Sequence, residues 1–305
     1  MDNGQTEQTE QVAARSGLDS TWRTMGQPSQ SREEDRVCTA CGEAFTAVIE
    51  EIPLLGRTMT LGDRKTCPEC RQKQQEEDER EEQERLVEEI AGIREDFRRR
   101  SGLPIRFWRA TFDAWPGLEW PETRAMQSVR KWVRELPERP VGYPSLILHS
   151  PEPGHGMSTL AACAINYLID TWPVDPRQPV LPVRYETGPG LGLRVRDTYS
   201  IRPGEESWRE TEAEVYATLR GMKLLVLDDV GDSEKEPRSE HTRRVYFHLL
   251  DLRYRDNLPL LIITNSDGDD LRSHIGAFAY DRLSEMSGRI VRVAGQTRAQ
   301  RRKRR

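Results

Sequence analysis

Long apolar runs are missing from this chain of 305 residues. The longest, around Leu260–Ile263, is strand-sized and far short of the ~18 residues that cross a bilayer, so no membrane partner is expected. Cysteine is scarce, five in all, and a disulfide framework is not expected in an intracellular chain. No sign of charge dominates: 46 Lys and Arg stand against 51 Asp and Glu. The resulting net charge of −5 gives no general argument for nucleic-acid binding and leaves that role to local patches. The start, Met1-Asp2-Asn3-Gly4-Gln5, lacks the basic-then-apolar order of a secretion leader, and a cytoplasmic location is expected. Residues 1–36 are poor in apolar side chains and show no period, which predicts a disordered segment. There are no internal repeats.

What is present falls into blocks. A compact module is expected over 37–72, where the cysteines and turn residues concentrate, followed by a charged helical linker over 73–101. Within the linker Leu86, Ile90, Ile93 and Phe97 are spaced four, three and four, one stripe of a helix. A partner-binding seam is the other reading of that stripe, although four residues are short for oligomerisation. From 102 to 297 amphipathic helices alternate with short apolar strands. Strands are expected at Ser145–His149, Val183–Glu186, Leu224–Leu227, Leu260–Ile263 and Ile290–Val293, and helices at Glu122–Leu136, Ser158–Asp170 and Arg238–Arg255. Such alternation predicts an α/β domain with a parallel sheet covered by helices. A basic tail, Arg298–Arg305, closes the chain.

Cys38-Thr-Ala-Cys41 and Cys67-Pro-Glu-Cys70 are two CxxC pairs with 25 residues between them. Four thiolates from two such turns close a tetrahedral shell suited to Zn²⁺, with no open position for catalysis. Metal binding would then supply folding free energy that this short polar segment cannot draw from a core. Unpaired thiols or a redox pair are the alternatives; neither pair sits in a thioredoxin-like unit. Cys163, in the Ala-rich helix, reads as a small core residue.

The stretch Leu146-Ile-Leu-His-Ser-Pro-Glu-Pro-Gly-His-Gly-Met-Ser-Thr-Leu160 runs strand, glycine loop, helix. Backbone N–H groups of Pro153's successors Gly154, His155, Gly156, Met157, Ser158 and Thr159 can cradle phosphates at a helix N-terminus, and Ser158 stands where a hydroxyl reaches Mg²⁺. Two positions depart from the phosphate-loop pattern: Pro151 replaces the first glycine, and Met157 replaces the lysine. Loss of one charge-assisted contact costs about 1.5–3 kcal/mol, a weakening of about ten- to over a hundred-fold. An ordinary glycine turn therefore stays open on the loop alone. Downstream, Leu224-Leu-Val-Leu-Asp228-Asp229 is a buried strand ending in two carboxylates, an arrangement that holds Mg²⁺ through Asp228 and orients an attacking water with Asp229. Asn265, at the tip of the next strand, suits a water- or phosphate-contacting role, or merely a turn. Arg282 is a candidate arginine finger acting in trans, with a surface ion pair as the alternative.

Together these residues resemble the AAA+ helicase loaders of the DnaC and DnaI type and the related IstB-type transposition ATPases. The likeness runs from about Leu103 to Arg298. Leu103-Pro-Ile-Arg-Phe-Trp-Arg-Ala-Thr-Phe112 is similar to the family's segment near the adenine, Leu225–Gly231 to its Walker B strand, Leu260–Asn265 to its sensor-1 strand, and Arg298 lies near its sensor-2 arginine. The resemblance implies an AAA+ P-loop fold, ATP and Mg²⁺ as cofactors, and a role in DNA replication. Its implied partners are a replicative helicase and single-stranded DNA, on which the protein would assemble as a homo-oligomer. Met157 puts hydrolysis in question, and ATPase activity is expected to be low. A nucleotide-independent adaptor working through the zinc module is the reading that Met157 favours. An IstB-like transposition helper is the third, and the zinc module weighs against it.

Overall fold

The computed structural model describes residues 30–54, 57–61, 65–113, 123–200, 209–232 and 234–294. The chain divides into two units, Met1–Leu86 and Val87–Arg305. Among the described residues no helix is long and apolar enough to cross a membrane.

The first unit is built on three antiparallel strands in the order β1-β2-β3: β1 (Gln30–Val37), β2 (Ala44–Leu54) and β3 (Arg57–Leu61). Strand β2 turns Ala47 and Ile49 inward and Val48 outward, the two-residue period of a half-buried strand. Residues 30–36 fall within the segment expected to be disordered, and this corrects that boundary. Strand β1 is almost wholly polar, so it carries no alternation to read. Its order comes from the ladder to β2 and from polar cross-strand pairs such as Thr46 Oγ1 donating to Asp35 Oδ1 at 3.0 Å. The remaining N-terminal residues lie outside the described ones, as does the basic tail with Arg298.

Helix α1 (Pro68–Arg100) begins inside the second CxxC pair, five residues before the expected linker. Its Glu- and Arg-rich body carries i,i+4 pairs such as Arg80–Glu84.

The second unit is an α/β domain around five parallel strands: β4 (Ser145–His149), β5 (Val183–Thr187), β6 (Leu224–Asp228), β7 (Leu260–Thr264) and β8 (Ser287–Arg292). They stand in the order β5-β6-β7-β4-β8. The expected α/β class, a parallel sheet clad in helices, is the observed one. Alternate residues of each central strand feed two cores. Leu146, Leu148, Leu224, Val226, Leu261 and Ile263 face one, with α2 (Arg124–Glu135) and α3 (Met157–Thr171). Ile147, Leu225, Leu227, Leu260 and Ile262 face the other. That second face is covered by α4 (Gly188–Thr198), α5 (Glu212–Gly221), α6 (Glu240–Arg255), α7 (Gly268–Ile275) and α8 (Ala277–Met286). Burial on both faces explains why the strands read as continuous apolar runs. The fully buried Arg253 of α6 donates to the carbonyls of Leu219, Met222 and Pro259, tying together the chain segments that enter β6 and β7.

Connections out of β4, β6 and β7 all emerge at the carboxyl edge of the sheet. Strand β4 sits between β7 and β8 while its chain continues to β5 at the far edge, and a reversal of this kind opens a crevice beside the strand ends.

Candidate nucleotide site and cysteine cluster

The crevice is a cleft of about 420 Å³, and it gathers most of the residues singled out in the sequence. Loop residues 153–159 line it together with Asp228, Asp229 and Asn265. Gly154 and Gly156 adopt φ of 87° and 86°, backbone that other residues enter only with strain, and Gly156 caps α3. The loop is braced from below. Ser150 Oγ lies 2.6 Å from His155 Nδ1, and Asn265 Nδ2 donates to the Ser150 carbonyl at 2.6 Å. His155 and Asn265 thus hold the loop's shape through their side chains.

Met157 is 6% exposed and belongs to the apolar core under α3. A thioether that packs there gains burial energy. Cys163 is buried in the same core, where desolvation pushes its thiol up to about 12, as a structural cysteine behaves.

Asp228 ends β6 at 2% exposure. Tyr185 Oη donates to its Oδ2 at 2.7 Å, the Asp229 N–H donates to its Oδ1 at 2.8 Å, and Ser158 lines the same cleft. Burial pushes its pKa up, and the Tyr185 hydrogen bond opposes that shift. The neighbouring Asp229 has φ of 57°, an uncommon conformation for a non-glycine residue that turns the chain sharply off the strand. Its Oδ1 pairs with Lys235 Nζ at 2.9 Å, and Asp232 Oδ2 holds the same ammonium at 3.0 Å.

Arg282 is not among the residues lining the cleft. It lies on α8 with Nε 3.6 Å from Asp251 Oδ1 and its guanidinium 4.4 Å above the Tyr254 ring. Within one chain it is a surface ion pair, and a finger role requires a neighbouring copy. Sequence reasoning missed Tyr185, Asp232 and Lys235. The signal for the last two was a Asp232-to-Lys235 spacing of one turn just beyond the carboxylate strand. Tyr185 had none, since its meeting with Asp228 depends on the pairing of β5 with β6.

In the first unit the thiols of Cys38, Cys41, Cys67 and Cys70 all lie within 4.8 Å of one another. A tetrahedron with metal–sulfur bonds of about 2.3 Å has sulfurs about 3.8 Å apart, and Cys41 Sγ and Cys67 Sγ are 3.8 Å apart. The 25-residue gap is taken up by β2 and β3, which return the chain to the first pair. Backbone N–H groups point at the sulfurs: Cys67 N donates to Cys38 Sγ at 3.2 Å and Cys70 N to Cys67 Sγ at 3.4 Å. The Cys67 amide is the main reason the Cys38 thiol is held down at about 6, favouring the thiolate that a metal binds. The cluster therefore fits one tetrahedral ion.

No family model matches the chain, and no curated protein matches its sequence. Among solved structures it is similar to the DnaC helicase loader, at 18% identity and TM-score 0.47 over 63% of this chain and 100% of that one. It is similar to DnaI at 19% identity and TM-score 0.46, over 63% of this chain and 94% of that one. AMPPCP-bound DnaA from Aquifex aeolicus follows at 18% identity and TM-score 0.45, over 66% of this chain and 55% of that one.

Proposed function

We propose that this chain is an ATP-binding, replication-associated protein of the helicase-loader type, with Mg²⁺ held at the cleft and Zn²⁺ in the cysteine module. One juxtaposition carries the nucleotide reading: Ser158 at the start of α3 and Asp228 at the end of β6 line the same cleft beside the glycine loop. These positions are far apart in sequence, and a hydroxyl and a carboxylate lining one cleft beside a glycine loop are the donor set that holds Mg²⁺ in P-loop proteins. Mg²⁺ would supply positive charge to the phosphate oxygens. The loop amides bind those oxygens, and Ser158 and Asp228 orient the ion. Asp229 stands where a water would be oriented, and Arg282 would act on a neighbour's phosphate in a homo-oligomer. Single-stranded DNA and a replicative helicase are the partners, and the basic tail adds salt-dependent affinity for the nucleic acid.

Calorimetric titration of ATP into the full chain tests this, with and without Mg²⁺ and with a single-stranded oligonucleotide. Wild-type protein is expected to bind ATP in a Mg²⁺-dependent manner, and Asp228→Ala to lose that dependence. The buried Met157 favours a second reading, an adaptor that keeps the fold without nucleotide. Oligonucleotide or partner binding with no heat on ATP addition would select it.

A further inference from the structure

We propose that Lys235 supplies the phosphate-binding cation of this cleft, in place of the lysine that the glycine loop lacks. The inference rests on the reading that the cleft binds a nucleotide. Met157 is committed to the core, so the loop offers only amides and hydroxyls to a triphosphate. Three carboxylates, Asp228, Asp229 and Asp232, face the same space and would repel one. The cationic residues lining the cleft are Arg106 and Lys235. Arg106 lies 4.5 Å over the Phe107 ring, in the segment ahead of α2. Lys235 connects instead to the Mg²⁺-binding corner: it is bound to Asp229, whose N–H is bound to Asp228, and Ser158 lines the same cleft.

Described residues on either side of Lys235 are held by hydrogen bonds. Gly231 has φ of 85°, a Cβ there would meet Ser266 Oγ at 2.9 Å, and its carbonyl accepts from that hydroxyl at 2.8 Å. The Asp232 carbonyl accepts from the N–H groups of Lys235 at 3.1 Å and Glu236 at 2.9 Å. Glu236, next in the chain, is 4% exposed, and its Oε2 accepts from Tyr246 Oη at 2.9 Å and lies 3.0 Å from His274 Nε2. Both of those partners are buried. The backbone is thus anchored one residue away, while the Lys235 side chain, 51% exposed, is free to swing from the carboxylates to an incoming anion. Its pairing with Asp229 in the meantime keeps the ammonium charged and at the cleft, and its departure frees Asp229.

The test compares ATP and adenosine binding by full-length wild type, Lys235→Ala, Lys235→Arg and Arg106→Ala, by calorimetry with Mg²⁺. Loss of one charge-assisted phosphate contact predicts that Lys235→Ala binds ATP about ten- to a hundred-fold more weakly with adenosine affinity unchanged. Lys235→Arg is expected to retain most ATP affinity. Equal ATP affinity for wild type and Lys235→Ala overturns the proposal, as does loss of triphosphate preference on Arg106→Ala alone. A parallel fall in adenosine affinity also overturns it, since that marks a structural role. Wild-type protein that binds no ATP removes the nucleotide reading itself, a result distinct from failure of the Lys235 variants.

Discussion

Burying a carboxylate costs stability unless charge or hydrogen bonds compensate it, and a binding site accepts that cost in order to hold a cation. Asp228 is such a residue, 2% exposed and with its pKa raised by burial in spite of Tyr185. A carboxyl whose folded pKa exceeds its unfolded value keeps its proton longer in the folded state. Stability is then greatest below the unfolded pKa of about 4 and falls as pH rises through the folded one. Asp228→Asn removes this loss. The variant is expected to melt higher than wild type at neutral pH without ligand, to flatten the decline above about pH 4, and to lose Mg²⁺-dependent ATP binding. Thermal melts across pH check it, and a lower melting temperature for the variant at every pH would falsify the account. Asp228 and Ser158 were legible individually, as a strand-end carboxylate and a loop hydroxyl. Tyr185 was not, because nothing in β5 marks it except a neighbour that sheet pairing brings.

At the scale of elements, α1 separates pattern from burial. Leu86, Ile90, Ile93 and Phe97 read as one even stripe, yet Phe97 is 1% exposed and Leu86 45%. Only the last turns of α1 meet the core of the second unit, where Phe97 and, beside it, Ile93 pack. Period reports which residues share a face and says nothing of how far along the helix that face is covered. Phe97→Ala is therefore expected to cost about 3–5 kcal/mol, and Leu86→Ala to stay within about 0.5 kcal/mol. Urea unfolding midpoints of the two variants decide this, and comparable shifts would show the stripe buried throughout. Central strands were easier to read, since burial on both faces leaves four or five apolar residues in a row. Strand β1 was the hard case, ordered by backbone pairing with few apolar side chains to reveal it.

At the scale of the whole molecule, the chain carries two separate sources of folding free energy. Among the described residues the apolar clusters of the second unit include none of the cysteine module's, and the module's own buried apolar side chains are Cys38, Ala47, Ile49 and Cys67. A metal ion is the natural supplement for so small a core. Freshly purified protein is expected to hold one Zn²⁺ per chain. Chelation should expose the module to protease while leaving the main thermal transition in place; metal analysis that finds none, with every thiol freely reactive, would sink the zinc assignment. The sequence by itself determined the parallel α/β class, the glycine loop, the carboxylate strand and the cysteine pairs, because each is written in local spacing or in an apolar run. Tertiary structure alone decided that Ser158 and Asp228 share one cleft, that Met157 packs into the core, that Arg282 stays out of the cleft, and that Lys235 enters it. Those outcomes depend on strand order and on which way a loop leaves the sheet, and contacts between residues distant in the chain leave no mark in the local pattern of either partner.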